Sequence, residues 1–158
     1  AGPIKVGLLT IKTGPLACPV CVDRNAIRDL SVTLVNLNGG VVFCDNTSGT
    51  PEDAPNTGFV PANKSRAKCE DGAAKNAGKL TGAIGKCHVK AADSALKAAP
   101  FDEEACEATA LGKYTASAAK LVDCPPCLNH AALGALVESL LDGNNYMSYC
   151  SPSGAFLN

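Results

Sequence analysis

Tryptophan is absent from these 158 residues, and aromatic residues make up only 4% of them. The 46% hydrophobic content is heavily alanine, so burial per residue is modest and a core of this kind gains from extra fastening. No apolar run is long enough to cross a bilayer. The longest weakly charged stretch, Ala131 to Leu141, is interrupted by Glu138 and falls short of the ~20 residues a spanning helix needs. Net charge is −1 with the two signs interleaved, which gives neither nucleic acid nor an anionic membrane an electrostatic handle. Only two histidines occur, and there is no Gly-rich phosphate loop, nucleophile elbow or His-Glu-x-x-His run. These absences predict a chain that is not an enzyme and has no cofactor or resident metal. Ala1-Gly2-Pro3 opens without Met, a basic region or an apolar leader, so the expectation is a mature N-terminus with the signal peptide removed.

Cysteine is what the chain has in quantity, nine residues in all. At this density in a short chain it predicts an oxidising compartment, hence a secreted, extracellular or bacterial cell-surface protein. Cys69 to Cys87 and Cys106 to Cys124 are each eighteen positions apart, five turns of helix, so each pair lies on one face of its own helix. Residues that face each other in an antiparallel helical hairpin have indices with a constant sum, and 69 with 124 gives the same sum as 87 with 106. Two bridges follow, Cys69–Cys124 and Cys87–Cys106. Cys127 and Cys150 bracket a further helix and could tie the tail to the hairpin, leaving Cys18, Cys21 and Cys44. Three thiols cannot pair among themselves, so either one stays free or it bonds another subunit.

The organisation reads as α+β: a β-rich N-terminal part with its linker over residues 1–62, then a cysteine-rich helical part with a C-terminal tail over 63–158. Ile4 to Ile11 is a short β-branched run closed by Thr13-Gly14-Pro15. Ser31 to Leu37 and Val41 to Cys44 flank Asn38-Gly39-Gly40, a hairpin signal because Asn and Gly tolerate positive φ. Asp45 to Ala62, with Pro51, Pro55 and Pro61, reads as linker. From Ser65 the composition turns to Ala, Lys, Glu and Leu. A first helix carries Cys69, Ala73, Leu80, Ile84 and Cys87 on one face and ends by Pro100. A second starts at the Asp102 cap and buries Cys106, Ala110 and Tyr114; a third spans Leu128 to Leu141.

Two C-x-x-C runs, Cys18 to Cys21 and Cys124 to Cys127, have the spacing of thiol oxidoreductases and of zinc sites. The second lies at a helix end, where the dipole disfavours thiolate, and zinc sets such as Cys124, Cys127 and His130 lack a fourth ligand, so structural disulfides are the expected use. His88 and His130 read as solvated helix positions, and Glu103, Glu104 and Glu107 as helix-start acids. Asn46 and Asn63 begin N-glycosylation patterns.

The stretch from Lys86-Cys87-His88 through Phe101 to Cys106 and on to Cys124-Pro125-Pro126-Cys127-Leu128 resembles cysteine-rich α-helical hairpin segments of secreted bacterial proteins of unassigned function. That resemblance implies secretion and disulfides. Ile4-Lys5-Val6-Gly7-Leu8-Leu9 with Thr13 to Ala17 and Asn38 to Val41 is similar to the opening of branched-chain amino-acid binding proteins, which are much longer two-lobed chains, and no binding residue carries over. The odd cysteine and the apolar ends, Ile4, Val6 and Leu8 at one and Phe156 and Leu157 at the other, point to docked termini. The leading expectation is a subunit of a self-assembling extracellular filament or surface structure. A monomeric module holding a lipid or small apolar ligand is the alternative, and a C-x-x-C oxidoreductase the second.

Overall fold

The structure, a computed structural model, describes residues 19–47, 50–51 and 57–150. Four helices account for most of them: α1 (Arg24–Val42), α2 (Lys64–Leu96), α3 (Glu103–Ala118) and α4 (His130–Asn144), followed by a 3-10 turn at Asn145–Met147. The described residues contain no strand, only one isolated bridge between Pro51 and Phe59. The expected α+β class is therefore wrong; the regular structure of these residues is helical.

The error lies in Ser31 to Cys44, read as a hairpin. Asp23 caps a helix there, its carboxylate accepting from the backbone N–H of Asn25 and Ala26. Ile27, Leu30, Leu34 and Val42 keep the spacing of three, four and eight that one helical face requires, and a β-branched run hides it. Asn38 is not a turn residue: its amide donates to the Leu34 carbonyl one turn back. Gly40 lets the linker close onto the helix, since a Cβ there would sit 2.8 Å from the Thr57 carbonyl oxygen. The strand expected at Ile4 to Ile11, the docking ends Ile4, Val6, Leu8, Phe156 and Leu157, and Cys18 all lie outside the described residues.

The helical part follows its local signals. Asn63 caps α2 through Ser65 and Arg66 N–H, Asp102 caps α3 through Ala105 N–H, and Asn129 caps α4 through Ala132 N–H. α2 stops at Leu96, ahead of Pro100, and the chain reverses through Ala98 at φ 50°. Leu80 and Ile84 on α2 meet Ala110 and Tyr114 on α3. Burying such side chains fully is worth about 1.5–3 kcal/mol each. A second cluster joins Val42, Cys69, Ala73, Leu128 and Leu133, anchoring the C-terminal end of α1. α4 packs on both α2 and α3.

Four disulfides bind these pieces: Cys69–Cys124, Cys87–Cys106, Cys44–Cys127 and Cys21–Cys150. The first two are the rungs with a common index sum, but Cys124, expected on the same helix as Cys106, lies beyond that helix, which ends at Ala118. Cys127 and Cys150 do not pair with each other to tie down the tail; they reach Cys44 and Cys21, one at each end of α1. No helix among the described residues is long and apolar enough to cross a membrane.

Two consequences can be measured. A Cβ on Gly134 would lie 2.9 Å from the Tyr114 ring and 3.2 Å from Leu111, so Gly134→Ala should lower stability in urea by about 1–3 kcal/mol through overpacking. Glu70 is fully buried on α2 and neither carboxylate oxygen makes a well-formed hydrogen bond, although the Asp45 and Cys44 backbone amides offset part of the cost. Burial raises its pKa above the ordinary value near 4.5, so the folded chain binds this proton more tightly than the unfolded one, and stability falls as pH rises from about 4.5. Glu70→Gln should flatten that slope in urea midpoints taken across the range. Asp45, whose pKa is lowered by hydrogen bonds from Thr47 and Arg66, makes a contribution that is lost only as pH falls below its ordinary 3.8.

Candidate functional site

α1 lies across α2 and α4 as a strap, tied before its start by Cys21–Cys150 and after its end by Cys44–Cys127. Its end is packed at Val42, but its middle is not driven into the core: Ile27, Leu30 and Leu34 stay half-exposed. Beneath them runs a cleft of about 650 Å³, within the range of small-molecule sites. Ile27, Leu30, Leu34 and Val42 form one wall, Leu136, Val137, Leu140 and Leu141 of α4 another, and Ala74, Ala77, Gly78, Thr81 and Gly85 of α2 the floor.

The polar residues along this wall are turned into their own helices. Ser31 donates to the Ile27 carbonyl, Asn38 to Leu34, Thr81 to Ala77 and Asn144 to Leu140. Their hydrogen-bonding capacity toward a guest is thereby reduced, and what they offer the cleft is largely methyl and methylene surface. The floor owes its depth to glycine. Nothing lies within 4 Å of where a Cβ on Gly78 or Gly85 would stand, although an interior helical glycine costs about 1 kcal/mol relative to alanine.

At one end the cleft becomes polar, where His88, Asn145 and Tyr149 line it. His88 is buried, at 5% exposure, and its Nε2 lies 3.0 Å from Glu107 Oε1 on α3 and 3.2 Å from Asp142 Oδ1 on α4. Burial pulls the imidazole pKa down, but a hydrogen bond to Asn145 and the charges of Glu103, Glu107 and Asp142 outweigh it, and the pKa is raised. Burial, with Asp142 beside it, lifts Glu107 to about 7. Burial also raises Glu103. The expectation that His88 is solvated and Glu107 a helix-start acid is corrected here: both are buried against each other. No spacing within one helix links 88, 107 and 142. The available signal was the rung Cys87–Cys106, because the residue after each partner in an antiparallel pair turns to the same face.

The other residues that the sequence singles out serve elsewhere. Cys124 and Cys127 pair with Cys69 and Cys44 rather than with each other, and Cys21 pairs with Cys150. His130 Nε2 lies 3.6 Å from Cys124 Sγ, a sulfur held in a disulfide. Asn46 is exposed, and Asn63 is a helix cap. A second groove of about 940 Å³ runs between α2 and α3, rimmed by Lys79, Lys86, Lys90 and Lys113; their ammonium groups make it the more polar place. No family model, no curated protein and no solved structure matches this chain.

The open floor makes a prediction of opposite sign to Gly134. Gly85→Ala should raise stability by about 0.5–1 kcal/mol in urea, because the added methyl meets only cleft space.

Proposed function

We propose that this chain is a secreted, non-catalytic binding module that holds the acyl chain of a single-tailed amphipathic lipid in the cleft under α1. The observation that carries this reading is an aliphatic cleft whose polar wall residues are satisfied by their own helices and whose floor is kept deep by glycines that packing does not require. Such a surface gains by excluding water and gives a polar ligand few partners. The strap suits the role: two disulfides keep α1 attached while its loosely packed middle can shift to admit a chain. Four disulfides support an extracellular setting.

The assembly reading retains one observation of its own. Away from the cleft α1 exposes two apolar side chains, Val32 at 54% and Leu37 at 62%. Exposed apolar side chains of this kind have a reason to be covered, and a second copy could do so.

A fluorescence titration with cis-parinaric acid separates the two. The oxidised chain should bind about one equivalent saturably, and Gly78→Leu with Gly85→Leu should weaken binding at least tenfold while circular dichroism stays helical. Absence of saturable binding, or equal binding by the variant, would contradict the lipid reading. Filaments by electron microscopy with a crosslinked dimer on a non-reducing gel would then favour assembly.

A further inference from the structure

The side chains around His88 come from three helices and converge on one ring nitrogen. Nε2 has Glu107 Oε1 at 3.0 Å and Asp142 Oδ1 at 3.2 Å, and the three donor atoms lie within 4.8 Å of one another. Nε2 carries at most one hydrogen, so as a donor it serves the two carboxylates by sharing. Glu103, one turn before Glu107 on α3, has a buried oxygen with no hydrogen-bond partner and lies close enough for His88 and Asp142 to act on it electrostatically. An imidazolium can balance only one of the two carboxylates that face it, Glu107 and Asp142.

We propose that His88, Glu107 and Asp142 bind one divalent transition-metal ion. Metal–ligand bonds of about 2.0–2.2 Å put neighbouring donor atoms roughly 3.0–3.5 Å apart, the separation of His88 Nε2 from each of the two carboxylates. A dication serves both carboxylates at once and removes the excess charge that a proton leaves. One imidazole with carboxylates is a borderline nitrogen and oxygen set, suited to zinc or manganese more than to calcium. Asp142, with a side chain 46% exposed, provides the way in. Building such sites from facing helices is common in bundles, and the rung Cys87–Cys106 beside it fixes two of the three helices.

The test is zinc alone, titrated calorimetrically into the oxidised, chelator-treated full chain. One equivalent should bind, and the ring nitrogens of His88, but not those of His130, should shift in nitrogen-15 spectra. Asp142→Asn, which leaves the buried pair in place, should weaken binding about tenfold or more with the helical circular dichroism unchanged, and Glu107→Gln should do the same. His130→Ala should bind as the parent does. The proposal is overturned if zinc does not bind saturably, if binding survives both carboxylate substitutions, or if it is lost with His130→Ala.

Discussion

Everything in the described part of this molecule depends on the two disulfides that lock α2 to α3 and the segment after it. Cys69–Cys124 and Cys87–Cys106 fix register, and they also fix rotation, because a helix pinned on one stripe at two points five turns apart cannot roll. In an antiparallel pair the residue following each bridged position swings to the same side. On the two helices those residues are Glu70, His88 and Glu107, and all are buried. The ladder thus decides which side chains lie beneath α1 and α4. With little aromatic surface and much alanine to bury, packing alone would specify this rotation weakly.

The other two disulfides act on a different problem. α1 has apolar residues around much of its circumference, yet only its C-terminal end joins the core. Cys44–Cys127 and Cys21–Cys150 tether both of its ends, the latter across 129 positions of chain. Each such link restricts the unfolded chain, typically contributing about 2–4 kcal/mol. A helix held this way need not pack tightly to stay in place, and the space left under it is the cleft. Gly78 and Gly85 keep that space from being filled from below.

What could be read from the sequence follows from this division. The rungs were legible because helical repeat and antiparallel symmetry are properties of local numbering, and the cap at Asp102 and the stop near Pro100 mark the turn from α2 to α3 by local chemistry; the cap at Asn63 was hidden behind its glycosylation pattern. α1 was not legible. A run holding Val32, Thr33, Val35, Val41 and Val42 satisfies strand and helix patterns alike, and Asn38-Gly39 tipped the reading to a hairpin, whereas the structure uses small size at Gly40 to admit the linker. The partners of Cys21 and Cys44 depend on how α1 lies over α4, which no spacing encodes. The His88 cluster needed three helices assembled, although the residues after Cys87 and Cys106 carried half of it. The floor of the cleft is built from small residues of α2, Ala74, Ala77, Gly78 and Gly85.

Peptide mapping of the unreduced chain, with fragmentation that cuts between Cys124 and Cys127, tests the strap and the ladder together. The expected result is Cys21–Cys150, Cys44–Cys127, Cys69–Cys124 and Cys87–Cys106 in a single population. A Cys127–Cys150 bridge would contradict the strap, because α1 would then lose the tethers at both of its ends. A Cys69 or Cys87 bonded to any other partner would contradict the ladder and the rotation on which the buried face depends.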